Sequence, residues 1–303
     1  MKKTFYSNGK LLITAEYLVL DGAIALALPT KYGQNLVVES GKNKEISWTS
    51  FDLDKSIWFD TTITFDEIRN KTLLDNQNVK NTLIEILHQG FLQNPNFLDE
   101  TKGYVVTTSL TFPRHWGLGT SSTLINNIAQ WLGIDAFELL KNSFGGSGYD
   151  IACAQNDCPI LYQLVKGKPL VEKVVFNPKF HKNIYFVYLN KKQNSRNAIE
   201  NYRKKIVAEK DFKKIDTTTN QIIVASDIHS FAKAIKKHDK LLSQILETPT
   251  IQDQLFKDFS GTIKSLGAWG GDFVMVVSQE NPTKYFSKKG FETILKYDDM
   301  ILK

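Results

Sequence analysis

Short apolar runs, many alternating with polar residues, fill the first third of the chain. Lys3–Ser7, Lys10–Thr14, Ala23–Leu28 and Gln34–Glu39 read as strands, with Asn8-Gly9 and Asp21-Gly22 as turn dipeptides between them. Ile46–Trp48, Lys55–Asp60 and Thr61–Thr64 continue the pattern. The period then lengthens. Leu83, Ile86, Leu87 and Phe91 share one helical face within Val79–Leu92. Tyr104–Phe112 returns to strand, and Leu124–Leu132, Ala136–Leu140 and Ile151–Gln155 read as helices. Gly145-Gly146-Ser147-Gly148 is a loop before the last of these, and Ile160–Val165 and Val171–Phe176 pair across Gly167–Pro169.

The second half reads as a strand, Asn183–Leu189, followed by helices at Ser195–Ala208, Thr217–Ile235, Lys237–Leu246 and Phe256–Leu266. A strand at Phe273–Val277 follows another glycine-rich loop. Helices and strands mix without a regular βαβ rhythm, which predicts an α+β fold rather than a doubly wound sheet. Composition shifts near residue 165, so the expected domains are 1–165 and 166–303.

The 303 residues include 42% hydrophobic and 12% aromatic side chains, enough for a substantial core and against disorder. A net charge of +6, from 38 basic and 32 acidic residues, suits a small anionic metabolite or a plain solvated surface. No nucleic-acid-binding signature accompanies it, so no nucleic-acid partner is expected. Cys153 and Cys158 stand without a second pair, against both a disulfide framework and a zinc site; Cys153 reads as a small core residue. No apolar stretch of about 18 residues or more occurs, so no membrane span is expected. Met1-Lys2-Lys3 is followed by no continuous apolar segment, against a signal peptide, and a cytoplasmic location is expected.

The chemistry concentrates at Pro113-Arg114-His115-Trp116-Gly117-Leu118-Gly119-Thr120-Ser121-Ser122-Thr123, between a strand and a helix. Glycines let backbone come close to a ligand. Hydroxyls at Thr120, Ser121 and Ser122 are expected helix caps, with the positive helix end facing a phosphate. By residue type alone, a capped helix after a tight turn fits equally well.

Three motifs in order resemble the GHMP kinases, the family of galactokinase, homoserine kinase, mevalonate kinase and phosphomevalonate kinase. They are Ser7–Gly22, which contains Asn8-Gly9-Lys10 and Ala15-Glu16-Tyr17, then Gly117–Ser122, then Lys264-Ser265-Leu266-Gly267-Ala268-Trp269-Gly270-Gly271-Asp272. The resemblance implies a two-domain α+β kinase fold with a ribosomal-protein-like N-terminal domain and a ferredoxin-like C-terminal domain. It implies ATP and Mg²⁺ as cofactors, with Gly117, Leu118, Gly119, Thr120, Ser121 and Ser122 around the ATP phosphates and Ser121 on the metal. It implies Asp150 as the base or orienting acceptor for the attacking oxygen, although an aspartate there also reads as a helix cap. It implies Lys10 near that aspartate, balancing charge on the transferred phosphoryl.

Glu16 matches the first motif, either as a substrate contact or as a buried carboxylate holding a loop. Glu138 is the candidate second metal ligand or else a solvated helix residue. Ser195 and Arg196 fall where the family contacts its acceptor. Gly267, Ala268, Gly270 and Gly271 are expected to close over the substrate. The family pattern also allows a homodimer.

The chain departs from that pattern at Ser7-Asn8, where Ala-Pro is usual, and at Ala15, where glycine is usual. Trp116 precedes the second motif and Trp269 replaces a glycine of the third. Glu16-Tyr17-Leu18-Val19-Leu20 resembles phosphomevalonate kinases, whereas Ser147-Gly148-Tyr149-Asp150 is closer to mevalonate kinases. The expected activity is phosphoryl transfer to mevalonate or phosphomevalonate. A diphosphomevalonate decarboxylase or a non-catalytic ligand-binding relative are the alternatives.

Overall fold

The structure, a computed structural model, describes residues 2–76, 78–99, 101–191, 195–267 and 269–302, with Asn78, Ser195 and Arg196 followed only along the backbone. The chain divides into two compact units, each built from separated stretches. The first holds Met1–Gly9, Tyr32–Arg114 and Gly119–Gln155; the second holds Lys10–Lys31, His115–Leu118 and Asn156–Lys303.

Two strands contribute to both units: β1 (Lys3–Leu12) and β2 (Ala25–Ser40). The first unit adds β3 (Glu45–Phe51), β4 (Ile57–Thr64) and β5 (Tyr104–Leu110), in the order β4-β3-β5-β2, with β1 also paired to β2. β3 runs parallel to β5 with Trp48 opposite Val106. The alternation read from the sequence is visible in β3, where Ile46, Trp48 and Ser50 are buried and their neighbours are not. That face packs on α2 (Asn78–Gln93), α4 (Thr120–Leu132) and α5 (Ala136–Ser143). Shorter helices are α1 (Phe65–Arg69), started by a Thr64/Glu67 capping box, α3 (Asn96–Asp99) and α6 (Tyr149–Ala154). Cys153 is a free thiol, fully buried in α6.

The second unit pairs Ala25–Ala27 of β2 with β6 (Ile160–Val165), which carries β7 (Lys168–Lys173). Its other sheet is antiparallel, in the order β11 (Ile294–Lys296), β8 (Ile184–Tyr188), β10 (Phe273–Val277), β9 (Thr262–Ser265). The central strands β8 and β10 are buried at every position. Its helices are α7 (Ser195–Arg203), α8 (Glu209–Ile223), α9 (Ile228–Leu246), α10 (Ile251–Leu255), α11 (Thr283–Lys288) and α12 (Tyr297–Met300). Among the described residues, no helix is long and apolar enough to cross a membrane.

The α+β expectation holds, with local corrections. Asn8-Gly9 does not turn, because β1 continues through it, and β2 is likewise one strand where two were expected. Gly33, inside β2, is required by proximity: a Cβ there would lie 2.2 Å from the Ser7 carbonyl oxygen. The Thr217–Ile235 helix is broken, since Asp227 caps α9 by accepting from the His229 and Ser230 N–H groups, both at 2.9 Å. Phe256–Leu266 is not a helix. α10 ends at Leu255, and Thr262–Ser265 is edge strand β9, where pairing to β10 outweighs an apolar spacing that mimics a helix.

Candidate active site

In the first unit, buried hydrogen bonds pin α4. Ser7 Oγ donates to Asn127 Oδ1 and accepts from Asn126 Nδ2, each at 2.8 Å. Asn127 Nδ2 reaches the Gln34 carbonyl at 2.9 Å, and Thr123 Oγ1 reaches Gln34 Oε1 at 2.8 Å. The departure from the family pattern at Ser7 thus has a structural use, since alanine could make neither Ser7 contact.

The expected hydroxyl caps are absent. The N-cap of α4 is Gly119, in the left-handed region at φ +93°, with no side-chain cap. Ser122 Oγ donates back to the Gly119 carbonyl at 2.9 Å, and Thr123 Oγ1 does so at 3.1 Å. Ser121 is exposed and Thr120 half-buried. By contrast, α5 and α9 start on aspartates whose carboxylates each take two first-turn N–H groups. A helix start with no capping carboxylate, entered through a left-handed glycine, is suited to an external anion.

Asp150 lies in a related setting. α6 starts at Gly148, φ +87°, again with no side-chain cap. Asp150 is therefore inside the first turn rather than at the cap. Its Oδ1 accepts from the Ile151 N–H at 3.1 Å, and the residue is half-buried. Glu138, on α5, is exposed and lies 3.9 Å from Lys141 Nζ. No cluster of three metal-ligating His, Cys, Asp or Glu side chains exists among the described residues.

In the second unit, Lys10 and Gly117 meet. Lys10 Nζ donates to the Gly117 carbonyl at 3.2 Å, and its backbone N–H donates to Leu118 O at 3.1 Å. Gly117 has φ +71°, and a Cβ there would sit 2.4 Å from Cγ of Asp272. Asp272 is itself left-handed, φ +50°, and only 8% exposed. Its N–H and carbonyl are bonded to Lys191 O and Leu189 N, each at 2.8 Å. Lys10, Trp116, Gly117, Gly267, Asp272 and Phe273 line a narrow cleft. Trp116 stands edge-on to Phe273, ring centres 5.4 Å apart.

The second unit also holds a buried ionic cluster. Glu16, 1% exposed, is ion-paired to Lys264, which has no exposed surface. Lys264 Nζ also donates to Ser265 O at 2.9 Å and lies 4.0 Å from Asp239. His238 Nε2 accepts from the Ala15 N–H at 3.0 Å. Burial raises the Glu16 pKa against the pull of Lys264. Burial, and then Lys264, hold His238 well below its usual value, so it is neutral. Burial pushes Asp239 up to about 7, against Lys264 and with Glu16 and Asp253 adding to the rise.

Ala15 and Tyr17, flanking Glu16, both have positive φ, +61° and +67°. That accounts for the glycine expected at Ala15. The Tyr17 hydroxyl accepts from the Trp269 backbone N–H at 2.9 Å, while the Trp269 indole donates to Pro249 O at 3.1 Å. Gly270 N–H reaches Ser265 Oγ at 3.2 Å. Ala268 and the Ser195 and Arg196 side chains lie outside the described residues.

Sequence reasoning assigned no role to His238, Asp239, Lys264 or Asp272. A signal for the first two was present. On α9 the buried stripe is Phe231, Ala234, Ile235, His238, Asp239 and Leu242, so two polar residues occupy core positions of a helical repeat.

No family model and no curated protein matches the sequence. Solved structures do match. Methanococcus jannaschii mevalonate kinase aligns over 100% of this chain and 99% of its own, at 16% identity and TM-score 0.71. Streptococcus pneumoniae phosphomevalonate kinase, in complex with phosphomevalonate and AMPPNP, aligns over 97% and 99%, at 16% identity and TM-score 0.71. Lactococcus lactis galactokinase, complexed with galactose, aligns over 95% and 88%, at 13% identity and TM-score 0.66. The chain carries the GHMP kinase fold over essentially its whole length.

Proposed function

We propose that the protein is an ATP-dependent small-molecule kinase that transfers the γ-phosphoryl group of ATP to mevalonate or phosphomevalonate. The observation that carries this reading is the start of α4. Its left-handed glycine, missing side-chain cap and inward-turned hydroxyls suit a phosphate, on a fold shared with kinases. The Gly117–Ser122 backbone would bind the ATP phosphates. Lys10, held at the Gly117 carbonyl, would balance charge on the transferred group. Asp150 would orient the acceptor oxygen and take its proton.

Mg²⁺ would screen the phosphate charge when bound. This ion binds oxygen and keeps several waters, so the exposed Ser121 hydroxyl together with phosphate oxygens would suffice without a three-ligand protein cluster. The exposed Ser121 hydroxyl is the proposed ligand, and Glu138 the proposed acidic one. Glu16, Gly267, Gly270 and Gly271 would shape the acceptor side, with Glu16 acting from within the protein.

The test is an ADP-release screen with mevalonate, phosphomevalonate, diphosphomevalonate, homoserine, galactose and other sugars. Turnover confined to mevalonate or phosphomevalonate is expected. Turnover of a sugar alone, CO₂ release from diphosphomevalonate, or no turnover of any acceptor would refute the assignment.

A further inference from the structure

Around Lys264, three buried polar atoms have no hydrogen-bond partner among the described residues: Glu16 Oε2, His238 Nδ1 and Asp239 Oδ1. Interiors rarely leave such groups unpaired, because each forfeits its hydration without compensation. An apolar residue of similar size in place of a buried ion pair is often neutral or better for stability. The cluster is therefore poorly explained as a stabilising device, and fixing a register is the best-attested use of buried charge.

The register at stake is visible. Residues Ala15, Glu16 and Tyr17 form a turn with two non-glycine residues in the left-handed region, a conformation that persists only where surroundings over-determine it. Three ties do so. Glu16 is bound to Lys264, the Ala15 N–H to His238 Nε2, and the Tyr17 hydroxyl to the Trp269 N–H. Lys264 lies in β9, two residues before Leu266 and three before Gly267, so it holds the turn against the strand that leads into the third glycine loop.

We propose that Lys264 is a positioning residue: its ammonium, facing Glu16 on one side and Asp239 on the other, locks the Ala15–Tyr17 turn to the glycine loop after β9 and so fixes the shape presented to the acceptor. The last clause rests on the kinase reading; the lock does not. One cation faces two carboxylates, with neutral His238 alongside and Asp253 contributing at Asp239. When Asp239 is protonated, Lys264 serves Glu16 alone. When Asp239 ionises, the ammonium is divided and the lock loosens.

Hydrogen exchange of the full chain without ligand tests this. Wild type should exchange faster in residues 13–21 at pH 8 than at pH 6, after correction for intrinsic chemistry, with β6 as internal reference. Lys264→Met should accelerate exchange in 13–21 by roughly tenfold or more at both pH values, leaving β6 unchanged. Asp239→Asn keeps the Lys264–Glu16 pair and should abolish the pH dependence; it decides the matter if Lys264→Met does not fold. In turnover, Lys264→Met should raise the acceptor KM far more than the ATP KM. Unchanged exchange in folded Lys264→Met, or persistent pH dependence in Asp239→Asn, would overturn the proposal. Absence of turnover by wild type, with the exchange pattern as expected, would remove the kinase reading and leave the lock standing.

Discussion

Replacing Asp239 with asparagine should change how stability depends on pH, and the sign and size follow from the buried cluster. The Asp239 carboxyl is pushed from an ordinary 3.8 up to about 7, first by burial, against Lys264 and with help from Glu16 and Asp253. Between those values the folded protein holds a proton that the unfolded chain has released. Stability linked to this group is therefore fully present below about pH 4, falls as pH rises, and levels off above about pH 7. A gap of about three units at about 1.4 kcal/mol each makes the full effect on the order of 4 kcal/mol.

Asparagine has no such titration, yet its side-chain oxygen can still accept from the Ser265 backbone that Asp239 bonds. The difference in unfolding free energy, variant minus wild type, should grow in favour of the variant from pH 5 to pH 7, by up to ~1.4 kcal/mol per unit, then flatten. Urea unfolding at pH 5, 6, 7 and 8, followed by far-UV circular dichroism, measures that difference. Groups common to both proteins cancel in it. Parallel curves for the two proteins across this range would refute the buried, titrating Asp239.

Gly117→Ala should cost most of the turnover: its methyl would meet the Asp272 carboxylate at 2.4–2.8 Å, at a backbone φ of +71°. A folded variant with wild-type ADP release would show that this approach is not needed. Asp150→Asn and Lys10→Ala should each abolish acceptor-dependent ADP release while leaving the circular dichroism spectrum intact, and full activity in either would remove that residue's role. Ser121→Ala should raise the Mg²⁺ concentration needed for half-maximal rate by about tenfold, the loss of one charge-assisted oxygen contact at roughly 1.4 kcal/mol. An unchanged magnesium titration would exclude Ser121 as the ligand.

What the sequence disclosed follows from the range of the forces involved. β8 and β10 were legible because continuous apolar runs bounded by turn residues have few alternatives. β9 was not legible. Its identity comes from pairing with β10, a partner distant in sequence, and the local pattern of Phe256, Ile263 and Leu266 favoured a helix. The glycine motifs were legible as points of close approach, but not what each approaches. Gly117 faces the Asp272 carboxylate, which no linear pattern specifies.

The cluster around Lys264 shows the same division more sharply. Glu16 and Lys264 are 248 residues apart; the sequence left Glu16 open between a substrate contact and a buried carboxylate holding a loop, and nothing in it marked Lys264 as its partner. The cue that was available sat on α9, where His238 and Asp239 interrupt a buried stripe. Two polar residues at core positions of one helix require partners from elsewhere in the chain. The only described element that packs on that stripe and carries a buried cation is β9, through Lys264. Read this way, the polar pair on α9 and the left-handed turn at Ala15–Tyr17 are two ends of one constraint. A sequence that keeps the glycine loops but loses this pair would be expected to keep the fold and to lose the defined shape of its first loop.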